Sequence, residues 1–367
     1  MIRVLHVLGG LDVGGAESMV MNIYRMIDKS KIQFDFIVHT TEHQFYYNEV
    51  TNLGGRIFAF PRFTGFNLHL IKKQWVSFLK KHKEYKIIHS HIRSYASIFL
   101  PIAKKNGLVT IIHSHSTSNG KGISSLIKRI MQYPLRHQAD YFMGCSKEAG
   151  KWLFGNKVVN GDRYFMVKNA IDTTKYKFSI STRNEYRQML GISCDCFAFI
   201  HVGRFHPAKN HKFLIDLFHE YHSLNQNSKL ILVGDGELKE QIVNQIEHLK
   251  LKDSVILTGF RNDAYNILQA ADCFLFPSNW EGLPLTVVEA QASGLYCLVS
   301  NHITHDVSLS KLVKYLPIDR GVRPWIDCIN GLSFHRIDVS NEITKKGFDI
   351  KESTKWFEGF YTGIYYG

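Results

Sequence analysis

Residues 273–300 read CFLFPSNWEGLPLTVVEAQASGLYCLVS. The first six are a short apolar run bounded by a turn, which reads as a strand buried on both faces. Residues 285–292 follow as a helix; Pro284 suits its first turn and Gly294 its end. YCLVS, residues 296–300, is a second core strand. A parallel pair of strands needs a crossover connection, so the stretch predicts one βαβ unit.

The alternation continues outward. In this half the other strand candidates are FAFIHVG (197–203), KLILVGDG (229–236) and VILTG (255–259). The first half holds IRVLHVL (2–8), FDFIVH (34–39), RIFAF (56–60), KIIHSH (86–91), VTIIHSH (109–115), YFMGC (141–145) and YFMVKN (164–169). Helical patterns cover residues 17–26, 68–83, 211–224 and 237–249. Twelve strands are too many for one compact sheet. The sequence therefore predicts an α/β chain of two Rossmann-like, doubly wound parallel-sheet domains facing a cleft. The polar stretch KNAIDTTKYKFSIST (168–182) loses periodicity and marks the break. The expected domains are residues 1–175 and 176–340, with an aromatic-rich helix in 341–367 crossing back onto the first.

The chain has 367 residues and a formal net charge of +13. Residues 1–180 hold 26 Lys and Arg against 11 Asp and Glu; the remainder holds 19 against 21. The first half thus carries the basic excess, and its partner is expected to be anionic. Nucleic acid, an anionic membrane and phosphorylated substrates all fit that charge. The first 15 residues do not read as a signal peptide, and no apolar run is long enough to span a bilayer. The six cysteines (145, 194, 196, 273, 297, 328) form no CxxC pair. They read as reduced side chains of a cytosolic protein.

Ligands of open α/β sheets bind at the carboxyl ends of the strands. The first strand runs into GGLDVGGAES, where Gly14 and Gly15 precede a helix. Such a turn lets backbone approach a ligand, and free N–H groups at a helix start favour an anion; it also serves as a tight turn with no ligand. Past FAFIHVG come Arg204 and Lys209. They read as a diphosphate clamp, a fork and a point charge, or as two surface cations. Glu281 lies before the helix 285–292 and Glu289 on its second turn. The N–H groups of about residues 283–286 lie between these acids, over a rise of ~7–8 Å. A carboxylate accepts hydrogen bonds from paired hydroxyls, so acid, anion hole, acid matches sugar, diphosphate, ribose. The plain alternative is two solvated glutamates, since this spacing is common by chance.

The ordered set GGAES, HSHS, KNAID, GRFHPAKNH, LVGDGEL and EGLPLTVVEAQASG resembles glycosyltransferase family 4, retaining enzymes of the GT-B fold, and covers nearly the whole chain. It is most similar to the exopolysaccharide and capsule branch. The resemblance implies that Arg204 and Lys209 hold the donor diphosphate, Glu281 the sugar hydroxyls and Glu289 the ribose. Backbone at Leu285 and Thr286 would meet the distal phosphate, Gly14 and Gly15 would approach the donor, and His115 would stand beside the sugar ring. Asn210 departs from the family pattern, where glycine commonly follows the lysine.

The HSH at 113–115 recurs at 89–91, and four histidines can hold zinc. No acid cluster accompanies them and no D-x-D occurs, so no metal or cofactor is expected. Two segments read as basic amphipathic helices. In 68–83, Leu68, Ile71, Trp75, Phe78 and Leu79 form a stripe expected to be mainly core. In 121–137, Ile123, Leu126, Ile127, Ile130 and Met131 lie beside Lys121, Lys128, Arg129 and Arg136, facing either the sheet or a membrane. The expectation is a cytosolic enzyme, peripheral at the inner membrane face. It would move a hexosyl or N-acetylhexosaminyl unit from a nucleotide sugar, UDP-linked, to a polyprenyl-diphosphate-linked glycan, without nucleic acid. The rivals are a soluble transferase with a small acceptor, a nucleic-acid binder and an oxidoreductase; GDGELK lacks the third glycine of the dinucleotide fingerprint.

Overall fold

A computed structural model of the chain describes residues 1–12, 14–115 and 123–367, and for Ile123 and Ser124 the backbone only. Lys121 and the side chain of Ile123 lie outside the described residues. The chain divides into two compact units, residues 1–170 with 350–367, and residues 171–349.

The first unit runs β1 (Ile2–Val7), α1 (Gly15–Met26), β2 (Ile32–Val38), α2 (Tyr47–Asn52), β3 (Ile57–Ala59), α3 (Leu68–Lys81), β4 (Ile87–Ser90), α4 (Ala96–Lys105), β5 (Val109–Ser114), α5 (Ile123–Gln132), α6 (Leu135–Gln138), β6 (Tyr141–Gly144), α7 (Lys147–Phe154), α8 (Asn156–Val159) and β7 (Tyr164–Met166). The second runs α9 (Thr173–Tyr176), α10 (Ile180–Met189), β8 (Phe197–Val202), α11 (His211–Leu224), β9 (Ser228–Val233), α12 (Lys239–His248), β10 (Val255–Gly259), α13 (Ala264–Ala270), β11 (Cys273–Phe276), α14 (Leu285–Ala292), β12 (Tyr296–Ser300), β13 (Val313–Leu316), α15 (Arg323–Asn330) and α16 (Ser340–Lys345). Helix α17 (Ile350–Tyr366) returns to the first unit.

Both sheets are parallel. Their orders are β3-β2-β1-β4-β5-β6-β7 and β10-β9-β8-β11-β12-β13. Each starts at its first strand, winds one way, then reverses. The switch points, where a crevice opens at the strand ends, therefore fall between β1 and β4 and between β8 and β11.

Successive side chains point to opposite faces. On the first sheet Ile2, Val4 and Leu8 pack with Met19, Tyr24, Phe357 and Tyr361 of α1 and α17. Leu5 and Val7 face the other way, toward Trp75 and Phe99. Trp75 stacks on Phe99 at 4.4 Å between centroids. In the second unit Ile200, Phe274 and Val287 fill one face and Phe199, Leu275 and Trp325 the other.

The structure differs from the sequence reading at several points. VKYL at 313–316 is an edge strand that the pattern hides, because Lys314 is exposed and Tyr315 only half-buried. The break at 168–182 is not featureless: Asp172 caps α9 through a hydrogen bond from Thr174 N. Helix α16 belongs to the second unit, where Val339, Ile343 and Phe348 pack with Val288 and Ala292. The units therefore part at 170/171 and 349/350, against the expected 175/176 and 340/341. Pro284 is the N-cap of α14 rather than a residue of its first turn. Among the described residues no helix is long and apolar enough to cross a membrane.

Candidate active site

In the second unit, β8 and β11 deliver their following loops to the switch point. The loop after β8 bends through a short 3-10 turn, Pro207–Lys209. Asn210 follows it with φ 56°, in the left-handed region. That backbone explains a glycine preference here, and asparagine is the side-chain-bearing residue that tolerates it best. Asn210 Nδ2 donates to Pro277 O at 3.2 Å, and Asn279 N donates to Ala208 O at 2.8 Å. These bonds bind the two loops into one frame.

That frame brings Lys209 against Glu281. The ammonium lies 2.7 Å from Glu281 Oε1, and both side chains are mostly buried. Lys209 Nζ also sits 4.7 Å from the Phe276 ring centroid. Arg204 stands apart, largely exposed, with its guanidinium 3.7 Å from Glu237. The structure thus joins Lys209 and Glu281 and leaves Arg204 at the rim.

Helix α14 starts without a side-chain cap. Its first N–H groups, those of Leu285 and Thr286, lie at the positive end of the helix. Thr286 Oγ1 and Ser278 Oγ are buried without a hydrogen-bond partner. Buried polar atoms are normally paired, so two such hydroxyls, one in the loop after β11 and one in the first turn of α14, suit a polar ligand. Gly294 ends α14 with φ 74°, and a Cβ there would stand 2.7 Å from Ile337 O.

Glu289 faces Tyr176 of α9, which hydrogen-bonds its carboxyl. Burial raises the pKa of that carboxyl, and the Tyr176 hydroxyl only partly offsets this. A carboxyl with a raised folded pKa stabilises the fold below its unfolded pKa, and that stability is lost as pH rises through the folded value. Glu289→Gln is therefore expected to raise the melting temperature of the ligand-free protein by a few degrees at pH 7–8 and to change it little near pH 4. A melting-temperature series against pH checks this.

In the first unit Gly14 caps α1 with extended backbone. A Cβ built on Gly15 would meet nothing within 4 Å, so the protein's own packing does not demand glycine there. His115 follows β5 and belongs to a row of five histidines. His6, His89, His91, His113 and His115 occupy alternate positions of β1, β4 and β5 and their ends, on the face that α17 covers. Two sets, His6–His89–His91 and His91–His113–His115, place one ring nitrogen each within 4.8 Å of the others. His89 Nδ1 lies 2.8 Å from Tyr361 Oη of α17. The sequence pattern marked four of these residues. It missed His6, whose RVLHVL reads as plain strand, and Tyr176, which lies in a polar stretch.

Glycosyltransferase Family 4 is the family whose model matches residues 13–175, and the model of glycosyl transferases group 1 matches residues 182–310. EpsF of Bacillus subtilis (strain 168), named as a glycosyltransferase, is 33% identical over 332 residues, 89% of this chain and 86% of that relative. The chain belongs to glycosyltransferase family 4. As such it is an enzyme of the EC 2.4 class. A second relative, the Escherichia coli UDP-Gal:alpha-D-GlcNAc-diphosphoundecaprenol alpha-1,3-galactosyltransferase, is 30% identical over 254 residues, 64% of each chain. Anabaena Alr3699/HepE, solved with UDP and glucose, shares 19% identity and a TM-score of 0.70 over 98% of this chain and 95% of that one. This likeness and the two parallel sheets make the fold GT-B.

Proposed function

We propose that this family 4 enzyme is a retaining transferase that moves a hexose or N-acetylhexosamine from a UDP-linked sugar to a lipid-carried glycan in exopolysaccharide or capsule synthesis. The observation that carries the reading is the β8/β11 switch point. It gathers a buried cation, a buried acid, an uncapped helix start and two unpartnered hydroxyls. A similar enzyme acts on a diphosphoundecaprenol-linked sugar with UDP-Gal, and a protein of the same fold binds UDP.

In this reading Lys209 and the start of α14 at Leu285 and Thr286 take the diphosphate. Arg204 swings from Glu237 to join them. Glu281 accepts from sugar hydroxyls and Glu289 from the ribose, exchanging Tyr176 for the ligand. The family resemblance assigns Gly14, Gly15 and His115, of the first unit, to the donor as well. As the anomeric C–O bond breaks, its electron pair goes to the departing diphosphate. The acceptor oxygen attacks the same face, and its proton passes to a donor phosphate oxygen. Fixed charges and N–H groups lower the barrier by meeting the developing negative charge; no metal is required.

The acceptor side rests on α5. Leu126, Ile127, Ile130 and Tyr133 are each more than half exposed, beside exposed Lys128 and Arg129. The stripe of α3 does the opposite, with Ile71, Trp75 and Leu79 buried. An exposed apolar face rimmed by cations suits the interface of an anionic membrane. Vesicles of phosphatidylglycerol should pellet the protein at low salt, and Leu126→Ser with Ile130→Ser should weaken that by about 10-fold. Unchanged sedimentation of the double variant would favour a soluble acceptor. The reaction itself is tested with UDP-sugars and an undecaprenyl-diphosphate-linked acceptor. Transfer with retained anomeric configuration supports the reading; transfer only to a small soluble acceptor, or with inversion, contradicts it.

A further inference from the structure

His6 Nδ1 lies 3.0 Å from His91 Nε2, and His91 Nδ1 lies 2.9 Å from His115 Nε2. The corresponding ring centroids are 5.3 Å and 5.2 Å apart. In both pairs the centroid separation exceeds the nitrogen separation by 2.3 Å. Two imidazole radii sum to that excess, so centroid, nitrogen, nitrogen and centroid lie nearly on a line. The rings of His6 and His91 are also within 13° of coplanar. This is the in-line geometry of N–H···N hydrogen bonds. It is not that of an ion site. Two nitrogens on one zinc each stand ~2.0–2.1 Å from the ion with lone pairs meeting at the tetrahedral angle, and collinear rings whose facing nitrogens are 3.0 Å apart leave no place for it. Two other contacts are of another kind: His89 stacks on His91 at 4.3 Å and His113 on His115 at 4.1 Å.

We propose that His6, His91 and His115 form one hydrogen-bonded chain with locked tautomers, and that buried His6 and His91 are positioning residues that make His115 a donor at Nδ1. A neutral imidazole carries one N–H. Burial keeps all three rings neutral, lowering His6 and His115 to about 3 and His91 well below its usual value. In a neutral chain one donor direction fixes every other, which leaves two registers. The unused atoms are His6 Nε2 at the inner end and His115 Nδ1 at the outer, both buried without a partner. Orphaned buried N–H groups are rarer than under-used acceptors. Both ends are buried, and only the outer one can meet a ligand in the proposed site, so the inner end, closed in beside Phe34 at 4.1 Å, keeps the bare lone pair. It follows that His6 Nδ1–H donates to His91 Nε2, His91 Nδ1–H donates to His115 Nε2, and His115 Nδ1–H is left for a ligand. Its partner is an acceptor oxygen, a sugar hydroxyl or a phosphate. The choice of register and that last step rest on the proposed function; the hydrogen-bonded chain does not.

The test is histidine tautomer assignment by long-range 15N–1H NMR on the 15N-His-labelled full chain, without ligand. The expected spectrum shows His6, His91 and His115 all neutral at pH 7 and all protonated at Nδ1. His6→Phe keeps the volume and breaks the chain's inner end. In it His91 and His115 should lose the single-tautomer pattern, and kcat/KM in the transfer assay should fall about 10-fold, the worth of one hydrogen bond. Any of the three protonated at Nε2 in the unmodified protein overturns the proposal. So does a His115 signal unmoved in His6→Phe. A locked Nδ1 pattern with no detectable UDP-sugar turnover would leave the chain standing and strike the proposed function alone.

Discussion

Lys209→Ala is expected to lower kcat/KM by about 100-fold or more. The loss of one preorganised charge or donor at a developing anion has that size. Lys209 is held in place on three sides: by the 3-10 turn, by the Phe276 ring and by Glu281. In the proposed reaction it therefore needs no reorganisation when the diphosphate departs. The variant also leaves Glu281 mostly buried without its cation, which costs stability independently of catalysis. Lys209→Ala combined with Glu281→Ala separates the two effects. The double variant should regain melting temperature relative to Lys209→Ala, yet transfer no faster. Steady-state kinetics with the UDP-sugar and a melting curve on all three proteins decide the matter. Recovery of transfer in the double variant would show that Lys209 acts only by neutralising Glu281.

Asp35→Ala is expected to be among the most destabilising single changes, about 3–5 kcal/mol, because it removes one partner from a buried charge network. Asp35 is fully buried in β2. It accepts from Arg3 Nε and Nη2, both at 2.6 Å, from Tyr85 Oη at 2.7 Å and from Arg56 N at 2.7 Å. Arg56 Nη2 adds a contact at 3.0 Å. Burial alone would push the Asp35 carboxyl up, but Arg3, Tyr85 and Arg56 outweigh it and hold it below the usual range. A depressed carboxyl contributes stability above its unfolded pKa of about 4, lost as pH falls through the folded value. At neutral pH the melting temperature of Asp35→Ala should drop by about 10 °C, at ~2–4 °C per kcal/mol for units of this size. Calorimetry checks it, and a drop of only a degree or two would contradict the network's importance.

Much of the fold was legible because parallel strands buried on both faces read as unbroken apolar runs, and their connecting helices as 3.6-residue stripes. The reading failed where local chemistry and tertiary burial part company. VKYL forms an edge strand with a lysine and a half-buried tyrosine, so no run of apolar residues announces it. The stretch around Tyr176 looks like a linker, yet α9 supplies the hydroxyl that Glu289 meets. The stripes of α3 and α5 look alike in sequence. Only packing shows that Trp75 is in the core while Ile130 is two-thirds exposed.

The site followed the same division. Motif order placed Lys209 and Glu281 at strand ends, but not 2.7 Å apart. Period-2 alternation put each HSH on one face, but could not show that His91 bridges His6 and His115. Asn210 breaks a glycine pattern, and its left-handed φ explains both the pattern and the exception.

The central claim is that the β8/β11 switch point holds a nucleotide sugar between Glu281 and Glu289. A thermal-shift screen of nucleotide sugars on the native chain, Lys209→Ala and Glu289→Ala tests it most directly. The account predicts that one UDP-sugar raises the melting temperature of the native chain and that this rise is largely lost in both variants. Stabilisation of the same size in all three proteins would contradict it.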